Sequence, residues 1–479
     1  MQCPKALWLY RHAQGRSRKL DPFLQRIFEQ GREVGELARD RFPDGTLIEE
    51  DHRHLTEALA STQKVIEAGA CVLYEAAFMA HGVLVRPDIM VLRKGAWTIY
   101  EVKCSSEVKD THLQDATIQR FVVEEAGLKV SAAAIVHMNG SYLRKGALDL
   151  DKLFIIADVT KETGLLKHGI TDKLEELAKL LSSQKPPSTE LGPWCSSPHG
   201  CDFYDACWED IPEYSIYDIK HLPWEKTALL RQNGIMAIKD IPEDFPLSPQ
   251  QALQRLAEKN QQTLIDDREI AKHLAKLKYP LHYLDFETIS PAIPPYDDHR
   301  PLEQLPFQAS VHIQDEPGAA LRHLEYLGDG TGDPRPGLTR FLTEAIASRG
   351  SVIAYNKQFE GMCLRVLAEH YPEHSKKLLS MKERLWDSAE SFSKSHYVHP
   401  GFKGRWSIKK VLPVLVPEMT YSGMAVANGE DAQTAYFQLM SDSISKADRA
   451  RLMADLKEYC GQDTLAMVRL VDVLKKSVP

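Results

Sequence analysis

The sequence lacks the features that mark membrane, secreted and repetitive proteins. No apolar run approaches the roughly 20 residues that a membrane-spanning helix needs, and the first residues do not resemble a signal peptide. Low-complexity tracts and internal repeats are also missing. We therefore expect a soluble, globular protein of the cytoplasm that has no membrane partner.

An excess of positive charge is missing as well. The chain has 59 Lys and Arg against 67 Asp and Glu, for a formal net charge of −8. This balance argues against a broadly basic nucleic-acid coat, but it is compatible with an acidic pocket whose charge is offset by bound cations. The sequence also has no G-x4-G-K-[ST] phosphate loop, so we expect no built-in motor.

Cysteine is scarce, but three of the eight cysteines stand close together in "CSSPHGCDFYDAC". Cys195, Cys201 and Cys207 are separated by five residues each, and Cys3 offers a fourth thiol near the start of the chain. Without an export signal, thiols or metal ligands are favoured over disulfides. Four thiolates would satisfy a [4Fe–4S] cluster or a tetrahedral zinc, and the lack of a C-x2-C pair argues against an ordinary zinc finger. Four unrelated thiols are the alternative.

The hydrophobic pattern indicates an α/β fold. At 479 residues the chain is long enough for about three domains. Helices are predicted over 23–42, 54–69 and 108–126, with strand-like segments over 71–78, 82–94, 96–104 and 129–138. A Pro/Ser-rich connection, a helical region punctuated by prolines and a third region of mixed strands and helices follow. The predicted domains are 1–212, 213–275 and 276–479.

A first group of charged residues lies at the ends of two apolar strands in "RPDIMVLRKGAWTIYEVKC". Glu101 and Lys103 are two residues apart, so both project from one face of their strand, and Asp88 begins the preceding one. Two carboxylates and a lysine fit a divalent-cation site for phosphodiester hydrolysis, because the cation neutralises phosphate and lysine stabilises developing charge. The alternative is a surface ion pair worth about 0–1 kcal/mol.

The helix after this strand carries Gln119 in "THLQDATIQRFVV". Together with P-D-x12-E-x-K, this glutamine resembles the motif of RecB-type PD-(D/E)xK nucleases. The resemblance implies a restriction-endonuclease-like domain in which Asp88, Glu101, Lys103 and Gln119 are catalytic and the two acids bind metal. One N-terminal cysteine followed by three later ones is similar to the iron–sulfur clasp of such nucleases. It implies a structural [4Fe–4S] cluster on Cys3, Cys195, Cys201 and Cys207, with Zn²⁺ as the alternative.

Three pairs of polar residues follow in the third region. Asp285 and Glu287 share one face of a predicted strand in "YLDFET", where burying two carboxylates without a cation is unfavourable. "YNKQFE" and "YCGQD" each place two polar residues one helical turn apart. These pairs are Asn356 with Glu360, and Tyr459 with Asp463.

The order D-x-E, N-x3-E, Y-x3-D resembles the DEDD exonucleases of the RNase H-like, DnaQ type. The resemblance implies that Asp285, Glu287, Glu360 and Asp463 bind two divalent ions, Mg²⁺ or Mn²⁺, and that Tyr459 orients the attacking water. Glu360 stands where the family has an aspartate, and Asp387 is a possible substitute. Surface acids are the alternative for each pair taken alone.

Two weaker features are compatible with nucleic-acid binding. Residues 216–242 resemble a helix–hairpin–helix that grips a phosphate backbone, although a plain helical linker fits equally well. The basic stretch "FKGRWSIKK" over 402–410 could contact phosphates, with Trp406 stacking on a base.

The arrangement as a whole resembles a bacterial family that fuses an iron–sulfur RecB-like nuclease to a DnaQ-like exonuclease. It implies a metal-dependent nuclease with a RecB-like site and a 3′→5′ exonuclease-like site, acting on DNA, or alternatively RNA, in repair or defence. A separate helicase or defence protein would be a partner. Two alternatives stay open: a nucleic-acid-binding protein with degenerate sites, and a structural iron–sulfur or redox protein.

Overall fold

The structure is a computed structural model that describes residues 2–51 and 53–479. It confirms a mixed α/β protein. The chain forms two compact units, Met1–Thr189 with Ser290–Glu303, and Glu190–Ile289 with Gln304–Pro479. The domain boundaries expected at residues 212 and 275 stay a prediction.

The first unit contains a sheet flanked by helices. Its strands are β1 (Thr46–Leu47), β2 (Val72–Tyr74), β3 (Phe78–Ala80), β4 (Val83–Val85), β5 (Ile89–Arg93), β6 (Ala96–Lys103), β7 (Val130–Met138) and β8 (Phe154–Asp158). Its helices are α1 (Pro4–His12), α2 (Pro22–Arg39), α3 (Leu55–Glu67), α4 (Asp110–Glu125), α5 (Leu150–Leu153), α6 (Thr160–Leu166) and α7 (Ile170–Ser182). The sheet order is β1-β2-β5-β6-β7-β8, and β3 pairs with β4 in a separate ribbon.

The continuous strand expected over 82–94 is wrong. It is two strands in different sheets, because β4 pairs with β3 whereas β5 pairs with β2 and β6. The break falls at Pro87, which has no N–H to donate to a sheet ladder. Asp88 therefore stands just before β5, where its carboxylate Oδ2 accepts a hydrogen bond of 2.6 Å from the backbone N–H of Val102.

The alternation of β6 orients its polar residues. Trp97 and Ile99 belong to the hydrophobic cluster that includes Phe121 and Val122 of α4. Because strand side chains alternate between faces, Glu101 projects from the same face, toward α4. The alternation of β6 thus directs the Glu101 side chain toward α4.

The second unit is built around a five-stranded sheet in the order β12-β11-β10-β13-β14. Its strands are β9 (Leu264–Ile265), β10 (Leu281–Ile289), β11 (Leu305–Gln314), β12 (Arg322–Leu327), β13 (Ser351–Ala354), β14 (Leu385–Asp387) and β15 (Tyr397–Val398), of which β9 pairs with β15. Its helices are α8 (Tyr204–Trp208), α9 (Trp224–Gln232), α10 (Pro249–Asn260), α11 (Asp267–Leu274), α12 (Arg335–Ala345), α13 (Lys357–His370), α14 (Pro372–Glu383), α15 (Glu390–Ser393), α16 (Ile408–Leu415), α17 (Gly429–Leu439) and α18 (Lys446–Lys476).

The central strand β10 pairs antiparallel with β11 and parallel with β13. Its even-numbered residues Leu284 and Phe286 enter one hydrophobic cluster, whereas Leu281 and Tyr283 enter the cluster that contains Met467 of α18. Asp285 and Glu287 are odd-numbered, so they project from the same face as Leu281 and Tyr283. The strand's period of two therefore directs two acids toward the 31-residue helix α18.

The second helix expected within residues 216–242 is only a single 3₁₀ turn. α9 is followed by a bend at Gly234, whose φ is 74°, and then by the 3₁₀ turn Ile238–Asp240. A small hydrophobic cluster around Ile216, Leu230 and Ile238 holds this region together. Across the described residues, the structure has no helix that is long and apolar enough to cross a membrane.

Candidate functional site

Three acidic side chains converge in the second unit. Carboxylate oxygens of Asp285, Glu287 and Asp463 all lie within 4.8 Å of one another. The first two extend from β10 and the third from α18, so the packing of this helix on the sheet closes the group. Among the described residues, no other set of three or more His, Cys, Asp or Glu side chains meets this distance.

Burial and mutual repulsion make these carboxylates hard to ionise. Burial, followed by the charge of Asp463, holds the pKa of Asp285 well above its usual range. The pKa of Glu287 is raised well above its usual range by burial and then by both neighbouring acids. Three acids in a water-poor site without a cation oppose stability, so the arrangement fits a divalent cation. Because all the ligand atoms are oxygens, it suits Mg²⁺ or Mn²⁺ rather than soft metals.

A lysine and two tyrosines border the acidic group. Lys409 donates a 3.0 Å hydrogen bond from Nζ to the hydroxyl of Tyr459, and this ammonium lies 4.9 Å from the ring centre of that tyrosine. The hydroxyl of Tyr421 donates to Oδ1 of Asp463. Tyr459 and Asp463, the pair predicted on α18 from Y-x3-D, therefore lie together at the acidic group. Lys409 places a positive charge beside them.

Glu360 lies in the same cleft, which has a volume of about 350 Å³. Its side chain is buried, and its Oε2 has no hydrogen-bond partner among the residues that the structure describes. Burial and then the charge of Asp285 raise its pKa well above the usual range. An unpartnered buried carboxylate oxygen is expensive, so Glu360 is suited to bind a cation. We call these four acids together the acidic cleft.

Asp387, the possible substitute for Glu360, has a different role. Its Oδ1 accepts backbone hydrogen bonds of 3.0 Å from Asn356 and from Ala389. These bonds fix the turn that leads from β13 into α13. Asn356, the other member of N-x3-E, is exposed at this turn with a left-handed φ of 72°.

The first unit assembles the other predicted group around Glu101. Gln119 of α4 donates a 2.7 Å hydrogen bond from Nε2 to Glu101 Oε2, and Lys103 donates a 2.7 Å bond from Nζ to Oε1 of the same carboxylate. The Lys103 ammonium also contacts Asp115 Oδ2 at 2.5 Å. The amide oxygen of Gln119, Oε1, is buried without a hydrogen-bond partner among the described residues.

Asp88 and Glu101 are close enough to perturb each other. Burial raises the pKa of Asp88 to about 6, and the nearby charge of Glu75 acts in the same direction. Burial, followed by the charge of Asp88, raises the pKa of Glu101 well above its usual range. Two carboxylates that resist ionisation while a lysine neutralises one of them are consistent with a cation site.

The cysteines of the second unit lie on one short segment. The Cys201 N–H donates a 3.0 Å hydrogen bond to the carbonyl of Cys195, and Cys207 is in α8. All three are partly exposed, and so is Cys3, which precedes α1 in the first unit. Within the described chain their sulfur atoms do not form a group of three within 4.8 Å. The cluster assignment stays a prediction.

Three residues of these sites were missed in the sequence. Asp115 is four residues before Gln119 on α4, so a search for polar pairs one turn apart would have found it. Lys409 belongs to the basic stretch 402–410, which had been interpreted as a phosphate contact. Tyr421 lies in the connection between α16 and α17, where no local pattern distinguishes it.

Comparisons with known proteins give relatives without an established activity. A family model described as "Domain of unknown function (DUF2779)" matches residues 282–407, a range that holds Asp285, Glu287 and Glu360 but ends before Tyr459 and Asp463. No solved structure matches the chain.

Two curated proteins are similar to part of the chain. The "Uncharacterized protein UU173" of Ureaplasma parvum serovar 3 is 30% identical over 226 residues, which cover 43% of this chain and 32% of that protein. The "Uncharacterized protein MG366 homolog" of Mycoplasma pneumoniae is 28% identical over 213 residues, covering 41% and 32%. The chain therefore spans about a third of the length of these relatives.

Proposed function

We propose that this protein is a metal-dependent nuclease that hydrolyses phosphodiester bonds of DNA at two centres. In this proposal the first unit contains a PD-(D/E)xK centre of the RecB type and the second an RNase H-like, DnaQ-type exonuclease centre. The observation that carries the proposal is the convergence of Asp285, Glu287 and Asp463, whose carboxylate oxygens lie within 4.8 Å of one another. Paired divalent ions held by carboxylates are a common solution for in-line displacement at phosphorus.

The residues of the acidic cleft have separate roles in this proposal. Asp285, Glu287, Asp463 and Glu360 would hold Mg²⁺ or Mn²⁺, which supplies neutralisation of the phosphate and a lower pKa for the attacking water. The Tyr459 hydroxyl orients that water. Lys409, bonded to Tyr459 at 3.0 Å, stabilises negative charge as it develops on the phosphate.

Tyr421 supports this geometry from the side. Its hydroxyl donates to Asp463 Oδ1 and so fixes the orientation of this carboxylate. Because a ligand must be oriented by its own hydrogen bonds to bind a cation well, Tyr421 acts as a positioning residue.

The centre of the first unit would use Asp88 and Glu101 as metal ligands. Gln119 orients Glu101 through their 2.7 Å hydrogen bond. Lys103 now bridges Glu101 and Asp115, and it is free to turn toward phosphate when a cation takes over the neutralisation of Glu101. A [4Fe–4S] cluster on Cys3, Cys195, Cys201 and Cys207, with Zn²⁺ as the alternative, would be structural.

The test is hydrolysis of DNA single strands labelled at the 5′ or the 3′ end, in Mn²⁺ and in EDTA. Asp285→Asn removes a ligand of the acidic cleft, and Lys103→Ala disables the other centre. Glu418→Gln and Lys145→Ala make the same kinds of change, acid to amide and lysine to alanine, at exposed positions outside both centres and serve as controls.

We expect the wild-type protein and both controls to cut the strand in Mn²⁺ only. Each site variant should lose the products of one centre and keep those of the other. Comparison of the 5′ and 3′ labels then shows which products come from which centre. If the wild type cuts neither DNA nor RNA with any divalent ion but still binds single strands, the protein is a nucleic-acid-binding protein and the nuclease proposal is wrong.

A further inference from the structure

A second cleft in the second unit lies beside the N-terminus of α13 and has a volume of about 370 Å³. Three exposed lysines line it: Lys276 after α11, Lys278 before β10, and Lys357, the first residue of α13. We call this the lysine cleft. Its lining residues come from distant parts of the unit, so tertiary packing, not a run of basic residues, brings the lysines together.

The three ammonium groups form no direct ion pair with the protein. None of them lies within 4.0 Å of a carboxylate among the residues that the structure describes, whereas the acids nearby are largely engaged. Glu390 pairs with Lys394 at 2.6 Å, and Asp387 Oδ1 accepts two backbone N–H groups. Exposed Glu383 is the remaining acid of the lining. With Arg384, four cationic side chains line the cleft against three acidic ones, so its lining has a formal charge of +1 and the three lysines are free to bind an anion.

A buried histidine also belongs to this lining. His273 is 4% exposed and stacks on Trp386, with ring centres 4.1 Å apart. Its Nε2 is bonded to the Asp387 carbonyl at 3.0 Å, so this nitrogen carries the proton. Nδ1 has no hydrogen-bond partner in the described chain, and the Glu390 carboxylate oxygen Oε1 lies 3.8 Å from it. The lysines therefore define the chemistry of the cleft, and a ligand with anionic oxygens would match them.

The lysine cleft adjoins the acidic cleft through the start of α13. Lys357 lines the former, while Asn356 and Glu360 line the latter. Lys357 and Glu360 are three residues apart on one helix, a rise of about 4.5 Å. The side chain of Asn356 makes no capping hydrogen bond, so N–H groups of the first turn are left to face a ligand. An extended strand can thus pass from one cleft to the other over a helix N-terminus, where negative charge is favourable.

We propose that the lysine cleft binds backbone phosphates of the single strand whose scissile phosphate lies in the acidic cleft. This inference rests on the proposed function for the identity of the strand, but it is tested by binding and not by hydrolysis. Lysine binds phosphate as a point charge and without regard to sequence. The lysine cleft would therefore supply affinity for single-stranded nucleic acid rather than base preference.

The experiment measures the affinity of the full chain for a fluorescein-labelled DNA 20-mer and for a labelled dinucleotide, by anisotropy in EDTA over a series of salt concentrations. The variant is Lys276→Ala/Lys278→Ala/Lys357→Ala. The matched control is Lys376→Ala/Lys377→Ala/Lys446→Ala, which removes three exposed lysines that line neither cleft. Circular dichroism melting curves verify that both variants fold.

The expected result follows from counterion release. Each lost phosphate contact reduces the slope of log affinity against log salt by roughly 0.7 for a single strand, so three contacts reduce it by roughly 2. At 0.1 M salt this corresponds to roughly 100-fold weaker binding of the 20-mer. We expect a much smaller effect on the dinucleotide and none from the control variant.

Two results would overturn the inference. An unchanged salt slope in a folded triple variant would mean that the lysine cleft does not contact the strand. An equal loss for dinucleotide and 20-mer would mean that it holds a terminal phosphate and not the backbone. Strand binding that depends on these lysines without any hydrolysis by the wild type would leave the lysine cleft in place and refute the nuclease activity alone.

Discussion

Asp285→Asn is the substitution that tests the acidic cleft most directly. The amide has nearly the shape of the carboxylate, so packing against β10 and α18 is retained. What changes is the charge, which the wild type places within 4.8 Å of two further acids. The protein without metal should therefore become more stable, although a buried polar residue has been altered.

The expected change in the free energy of unfolding can be calculated from the distance between these carboxylates. Two unit charges 4.8 Å apart repel by roughly 3.5 kcal/mol at an effective dielectric constant of about 20. The net effect is smaller, because the raised pKa of Asp285 favours proton uptake that relieves this repulsion, and because the variant loses the attraction of Lys409. We expect a net gain of about 1–2 kcal/mol in EDTA, or roughly 2–8 °C in Tm.

Bound metal should make the wild type more stable than Asp285→Asn. A cation at 100 times its Kd stabilises the wild type by about 2.7 kcal/mol, and the variant lacks one ligand for it. Hydrolysis at this centre should fall by roughly 100-fold or more, as when a group that stabilises transition-state charge is removed. Loss of activity together with a gain in metal-free stability is the signature of a site built for function.

The assay is thermal unfolding in EDTA and in Mn²⁺, followed by circular dichroism, with Glu418→Gln as the control. The wild type should melt below Asp285→Asn in EDTA and above it in Mn²⁺. If the variant melts lower in EDTA and both proteins respond equally to Mn²⁺, then Asp285 is an ordinary buried polar residue and the reasoning is refuted.

Three further predictions concern other residues. The pKa of Asp88 is raised from 3.8 to about 6, so its protonated form stabilises the metal-free fold below pH 3.8, and this contribution of roughly 3 kcal/mol is lost as the pH rises through 6. Urea unfolding in EDTA at pH 4–7 should show a smaller loss of stability with rising pH in Asp88→Asn than in the wild type, because the other acids with raised pKa values remain in the variant, and equal pH slopes would contradict it. Tyr421→Phe removes the hydrogen bond to Asp463 and should weaken Mn²⁺ binding roughly 10–100-fold by isothermal titration calorimetry, whereas unchanged affinity would exclude a positioning role. Anaerobically purified wild type should be brown with bound iron, Cys207→Ser should be colourless and less stable, and Cys71→Ser should resemble the wild type; a colourless wild type containing zinc would favour Zn²⁺ over the iron–sulfur cluster.

Local periodicity explains why parts of the sites were predictable. The alternation of a strand puts Asp285 and Glu287 on one face, and one helical turn puts Tyr459 and Asp463 on one side of α18. Pro87 ends β4 and so leaves Asp88 at the start of β5, although the sequence pattern over 82–94 had suggested a continuous strand. These relations need only the chain's own geometry over a few residues.

Local sequence patterns could not predict the contacts between residues that are far apart in the chain. Lys409 reaches Tyr459 across 50 residues, and Tyr421 reaches Asp463 across 42. Neither residue stands at a sequence spacing that distinguishes it from other residues of its type. Only the packing of α16 and the following connection against α18 brings them to the acidic cleft.

The sequence by itself determined the α/β class and the strand face or helix side on which the predicted acids lie, because these depend on backbone geometry within single elements. The tertiary structure alone decided that acids from β10 and α18 meet within 4.8 Å, that Glu360 rather than Asp387 joins them, and that three separate lysines form a cleft next to them. The physical reason is that burial and electrostatic interaction depend on distance in space, and the packing of the whole unit sets those distances.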